Sequence, residues 1–133
     1  MWIALIKRTL IFTLHEPLLR YRIRANELNL SHDPTNRKRI DFELVQVYRA
    51  FFDDMPQALF REAFWNELCN PQATGATAFA LEKAFIYAKH SSPVVREIGL
   101  EKLFVLLQDE AIARFARDHF SLTLPDYFRM TNA

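Results

Sequence analysis

Glycine is nearly missing from this chain: Gly75 and Gly99 are the only two in 133 residues. Turn-rich β-sandwiches and phosphate-cradling loops draw on glycine for positive φ angles, so both are disfavoured. Cysteine is rarer still. Cys69 alone forms no internal disulfide and has no second thiolate with which to hold a metal, which points to a reducing compartment, the cytoplasm. No apolar run approaches the ~18 uncharged residues of a membrane span. The apolar opening Trp2-Ile3-Ala4-Leu5-Ile6 has its basic residues, Lys7 and Arg8, behind it rather than in front, the wrong order for a secretory leader. A soluble intracellular chain is the expectation. Neither charge dominates, with 17 Lys or Arg against 16 Asp or Glu.

What is present is apolar and aromatic. Half of the residues are hydrophobic and 14% are aromatic, twelve of them Phe, a composition far from that of a disordered chain. The length suits one domain over residues 1–133, with a core large enough to stand without metal or disulfide. Leu, Ala, Glu and Arg favour helices, and the six prolines fall where helices begin or end.

The periodicity resolves into short helices. Trp2 to Leu14 is apolar on nearly every side and reads as a buried helix, with a β-strand through Thr9–Leu14 as the alternative. Leu18, Tyr21, Ala25 and Leu28 make one helical stripe after Pro17. Ile40, Leu44, Val47, Tyr48 and Phe51 make the next, closed by Asp53-Asp54-Met55-Pro56. A helix to about Leu68 carries Leu59, Phe60, Ala63 and Phe64. Thr74 or Thr77 is placed to cap another, running to about His90 with Ala78, Leu81, Phe85 and Ala88 inward. Ser92 and Pro93 open Val94–Leu107, with Val95, Ile98, Leu103, Leu106 and Leu107 for burial. Asp109 caps a last long helix on which Ile112, Phe115, Ala116 and His119 share a side, and Leu122-Thr123-Leu124-Pro125 reads as a docking strand or extended tail. The expected fold is all-α: a compact bundle or stacked helical hairpins of six or seven short helices.

Two segments resemble known families. Ser92-Pro93-Val94-Val95-Arg96-Glu97-Ile98-Gly99-Leu100-Glu101-Lys102-Leu103 resembles one helix of a HEAT-type repeat, which implies stacked helical hairpins that bind another macromolecule. Arg114 and His119 form an Arg-x4-His pattern similar to that of HEPN-family ribonucleases. That resemblance implies proton transfer by His119 at a ribose 2′-hydroxyl and stabilisation of phosphorane charge by Arg114. Phe115 departs from it, standing where that family has a polar residue. With twelve arginines and four histidines such a spacing arises about once by chance, and a surface Arg114 with a capping or half-buried His119 is the reading adopted. His15, His32 and His90 stand apart, without metal-ligand spacing. His90 suits a last helical turn, and Cys69 a buried apolar position. Neither a cofactor nor a metal is expected.

Charge and aromatics give the remaining leads. Residues 1–50 hold nine Lys or Arg against five acids and residues 51–133 eight against eleven, so the two halves differ in sign. Arg20, Arg22, Arg24, Arg37, Lys38 and Arg39 form a basic cluster suited to an acidic protein surface or, in the competing reading, to nucleic acid. The pairs Phe51-Phe52, Phe64-Trp65 and Tyr127-Phe128 exceed what one small core requires. Neighbouring residues on a helix point ~100° apart, so one of each pair is free to face a partner. Phe52, Trp65 and Trp2 are the expected interface aromatics. The sequence thus describes a non-enzymatic protein-protein interaction module, a small regulator, adaptor or inhibitor, with an apolar aromatic patch and a basic rim. A second copy of the chain is an alternative partner, and an RNA-processing protein the alternative function.

Overall fold

The structure, a computed structural model, describes Arg8, His15, Glu16 and residues 34–132. Contacts divide the chain at Val47/Tyr48 into two units. Among the described residues the regular structure is entirely helical: α1 (Pro34–Arg49), α2 (Gln57–Ala63), a 3-10 turn (Trp65–Glu67), α3 (Ala76–Ala88), α4 (Pro93–Leu107), α5 (Glu110–Phe120) and α6 (Leu124–Thr131). None of these helices is long and apolar enough to cross a membrane. The readings of residues 2–14 as helix or strand and of Leu18–Leu28 as a stripe lie outside the described residues.

In the first unit, α1 opens on Pro34, at a helix start where an amide is not needed. Its apolar positions Ile40, Phe42, Leu44 and Val47 are all exposed.

The second unit begins at Tyr48. The chain leaves α1 through successive turns, Phe51 N–H to Tyr48 C=O at 3.1 Å and Asp53 N–H to Ala50 C=O at 3.0 Å, with Asp54 in the left-handed region. Helix α2 stops at Ala63, before the expected Leu68. The reason lies in the loop that follows: the amides of Cys69 and Asn70, which a continued helix would consume, donate to the buried carboxylate of Glu82 at 2.8 and 2.7 Å. Arg61 holds the same loop by donating to the carbonyls of Ala73, at 3.1 Å, and Pro71. Asn70 extends the loop's anchorage to α5, donating through Nδ2 to the His119 carbonyl at 2.7 Å.

Helix α3 is entered through Gly75, at φ 94°, and neither Thr74 nor Thr77 caps it through a side chain. Its inward residues are those the periodicity assigns: Ala78, Leu81, Phe85 and Ala88 are buried. Helices α3 and α4 pack along one another, and Gly99 permits the approach, since a β-carbon there would lie 2.1 Å from the Ala88 nitrogen. Asp109 caps α5 by accepting from the amides of Ala111 and Ile112 at 2.8 and 3.1 Å. Ser121, in the left-handed region, ends that helix, and Leu122 N–H returns to the Ala116 carbonyl at 3.2 Å.

The final segment is a helix, not a strand or an extended tail. Thr123 and Asp126 form a capping box, each side chain accepting the other's backbone N–H, and Pro125 occupies the first turn. Leu81, Ala84, Phe85, Ala88, Leu103, Ala116, Leu122 and Tyr127 form the core, joined by partly buried residues including Ile112 and Phe115. A second, aromatic cluster surrounds Phe52, whose ring lies 5.1–5.3 Å from those of Phe51, Phe60 and Phe64, mostly edge to face, and 4.8 Å from that of Tyr87. This cluster takes up several of the aromatics that looked surplus in sequence.

Candidate partner-binding surface

Within the second unit a cleft of about 340 Å³ lies against α3 and α4, beside Arg49 at the end of α1 and the turn that follows. Its interior is apolar, formed by Phe52, Tyr87, Ile98 and Leu106 with Ala80 and Val105. Its charges come from separate elements: Arg49 from α1, Asp53 from the turn, Lys83 from α3, and Glu101 and Lys102 from α4. The Tyr87 hydroxyl donates to the Tyr48 carbonyl, and burial, aided by the Asp53 carboxylate, pushes the phenol far above its ordinary value of 10. Arg49 grips Glu101 with both prongs, Nη2 to Oε2 at 2.8 Å and Nη1 to Oε1 at 3.3 Å. Asp53 and Lys83 have interactions of their own. The Lys102 ammonium lies 5.9 Å from the centre of the Tyr87 ring, within cation-π range, and no carboxylate among the described residues pairs with it.

Apolar surface extends past the cleft. Val105 lines it and is 65% exposed, and its neighbour Phe104 is 50% exposed. The Phe104 ring lies 6.1 Å from that of buried Tyr127, which in turn lies 5.6 Å from that of Phe128. Tyr127 is tied down by its hydroxyl, which donates to the Leu100 carbonyl at 3.3 Å. Phe128 is 57% exposed, and Leu124, one turn earlier on α6, is exposed beside it. Helix α4 is apolar around most of its circumference, so Phe104 and Val105 fall outside the stripe that packs on the core.

The sequence-derived candidates are dispersed. Phe52 is 5% exposed, belongs to the aromatic cluster and contributes to the cleft only as part of its lining. Trp65 is 51% exposed on the 3-10 turn, with the Arg61 guanidinium 5.7 Å from its ring centre. Trp2, Arg20, Arg22 and Arg24 lie outside the described residues, as does the side chain of Arg37, which stands on α1. Lys38 and Arg39 are exposed on α1, and Arg39 is engaged by Glu43 at 2.8 Å, which raises the guanidinium further above its already high value.

Arg114 and His119 are not brought together. Five residues along an α-helix correspond to a rotation of ~140°, which sets the two on different sides of α5. Arg114 pairs with Glu110 at 3.2 Å and lines a second cleft near the start of α6, whereas the exposed His119 ring lies 4.2 Å from that of Phe115. His90 lies past the end of α3 and accepts the Ser92 amide through Nδ1 at 3.0 Å. Cys69 is half-buried; burial pushes its thiol up, partly opposed by Lys89, whose Nζ is 3.1 Å from the sulfur. Among the described residues no group of His, Cys, Asp and Glu is arranged to hold a metal.

The residues that sequence reasoning missed are Arg49, Glu101 and Lys102 at the cleft, and Phe104, Val105 and Leu124 beyond it. The charged residues come from elements distant in sequence, and no local motif joins them. Phe104 and Val105 did carry a signal, as apolar residues in excess of one buried stripe. No family model, no curated protein and no solved structure matches the chain.

Proposed function

We propose that the chain is a protein-interaction module that holds its partner on the α4–α6 surface. The observation that carries this reading is the run of exposed apolar side chains from Val105 and Phe104 to Phe128 and Leu124, set beside an open cleft. Burying such side chains under a partner supplies affinity, roughly 25 cal/mol for each Å² of apolar surface removed from water. The buried Tyr127 ring, tied to the Leu100 carbonyl, lies next to both Phe104 and Phe128 and so joins the two helices' contributions to this surface. Trp65, with Arg61 against its ring, is a second contact point of the kind enriched in interface hot spots.

The test is quantitative affinity capture from the native cell with wild-type chain and with the double variant Phe104→Gln/Val105→Gln as parallel baits. Glutamine is a good helix former and uncharged, so helical circular dichroism is expected to be unchanged. At least one protein retained by the wild type is expected to be lost from the variant. Identical sets retained by the two baits would remove the α4–α6 surface from partner binding.

A further inference from the structure

The proposed module reading leaves the chemistry of the partner open, and the cleft beside Val105 narrows it. We infer that the cleft receives a segment of another protein in which a bulky apolar side chain stands close to an Asp or Glu.

The inference rests on the module reading and on three features of the cleft. Its size, about 340 Å³, lies at the lower end of the ~300–1,000 Å³ typical of ligand pockets, and its interior of Phe52, Tyr87 and Ile98 offers mostly carbon surface. A large apolar side chain fits such a space. Its lip does not close over: Val105 continues into exposed Phe104 and the α6 aromatics, which suits a polymer running onward across the surface better than an enclosed small molecule.

The charges then select the partner. Three cations face two carboxylates at the cleft, and Glu101 is already held by both prongs of Arg49. Lys102 is the cation left over, held against the Tyr87 ring and paired with no described carboxylate. A partner carboxylate reaching Lys102 gains an ion pair at a half-buried position, while a partner lysine or arginine meets an uncompensated like charge. With three cations against two carboxylates the cleft keeps a net positive charge, so the field favours an acidic segment before contact as well as after it.

The experiment is selection of a random twelve-residue peptide display library on the full chain, with counter-selection on Val105→Gln to keep only peptides that use the cleft. The expected peptides carry Leu, Ile, Phe, Trp or Met within about four residues of an Asp or Glu. Their affinity, by fluorescence anisotropy, is expected to fall about three- to fivefold on Lys102→Gln and on raising the salt from 50 to about 500 mM. Selected peptides without acidic enrichment, or affinities indifferent to Lys102→Gln, would overturn the inference and leave the module reading standing. The absence of any Val105-dependent peptide would also overturn it, and the native capture with the double variant then decides the module reading separately. Sedimentation of the chain alone covers the remaining occupant. A concentration-dependent dimer abolished by Val105→Gln would assign the cleft to a second copy and overturn the acidic segment.

Discussion

Gly99 and Ala88 stand so close that a β-carbon on the first would fall 2.1 Å from the backbone nitrogen of the second. The obstacle is backbone, not a flexible side chain, so Gly99→Ala must push α3 and α4 apart. The better helix propensity of alanine offsets only ~1 kcal/mol. A net destabilisation of about 1–3 kcal/mol is expected, read as a lower urea midpoint. A midpoint equal to that of the wild type would show that the two helices separate without cost.

Glu82 is buried with its carboxylate spent on two backbone amides. Glu82→Leu leaves the Cys69 and Asn70 N–H groups without their acceptor. Each unpaired buried amide costs about 1–3 kcal/mol. Hydrogen exchange at these two amides is expected to rise well above that of the α3 interior. Unchanged protection at both positions would mean that the loop is held by Arg61 and Asn70 without Glu82.

Asp126 makes the stability of α6 dependent on acid. Its hydrogen bonds from the Thr123 hydroxyl and amide, together with Arg129, lower its pKa below the ordinary 3.8. A carboxyl depressed in the folded state stabilises it above the unfolded value, and that contribution is lost as pH falls through the lower folded value. Thr123→Val is expected to bring the Asp126 titration, followed by carbon NMR of the carboxyl, back up toward 3.8. A titration that does not move would place the cause in the residue 123 amide and Arg129, without the hydroxyl.

Tyr87 acts at the opposite end of the pH scale. Its phenol is raised above 10, chiefly by burial, so the folded state holds its proton after the unfolded chain has released it. The stability contribution is complete below pH ~10 and diminishes above it. Ultraviolet titration is expected to show a tyrosine step that appears only with alkaline unfolding, and Tyr87→Phe is expected to diminish that step. A late step of the same size in wild type and Tyr87→Phe would contradict the buried hydrogen bond to Tyr48.

The helices were legible where local chemistry was strong. Ser92-Pro93 and Asp109 marked the starts of α4 and α5, and three- and four-residue spacing found Leu81, Phe85, Ile98 and Leu103 in the core. The short reach of α2 was not legible, because Glu82, the acceptor for the Cys69 and Asn70 amides, lies twelve and more residues further on. Helix α6 stands where the sequence reads as a docking strand or extended tail from Leu122 to Pro125, although Thr123-x-x-Asp126 carries its signature and Pro125 suits a first helical turn. Of the aromatic pairs, Tyr127-Phe128 divides as helical geometry suggests, one buried and one exposed. Phe52, by contrast, turns inward among rings whose proximity only tertiary structure creates. Lys102 and Arg49 could not be grouped from sequence, since the cleft that joins them is built from α3, α4 and the end of α1.

The claim that the α4–α6 surface holds a partner is tested most directly by the equilibrium affinity of the captured partner for three chains: wild type, Val105→Gln, and Glu62→Gln as an exposed control on α2. Loss of an apolar contact at an interface centre corresponds to about tenfold in Kd, and that loss is expected for Val105→Gln with no change for Glu62→Gln. Equal affinities for all three chains would contradict it.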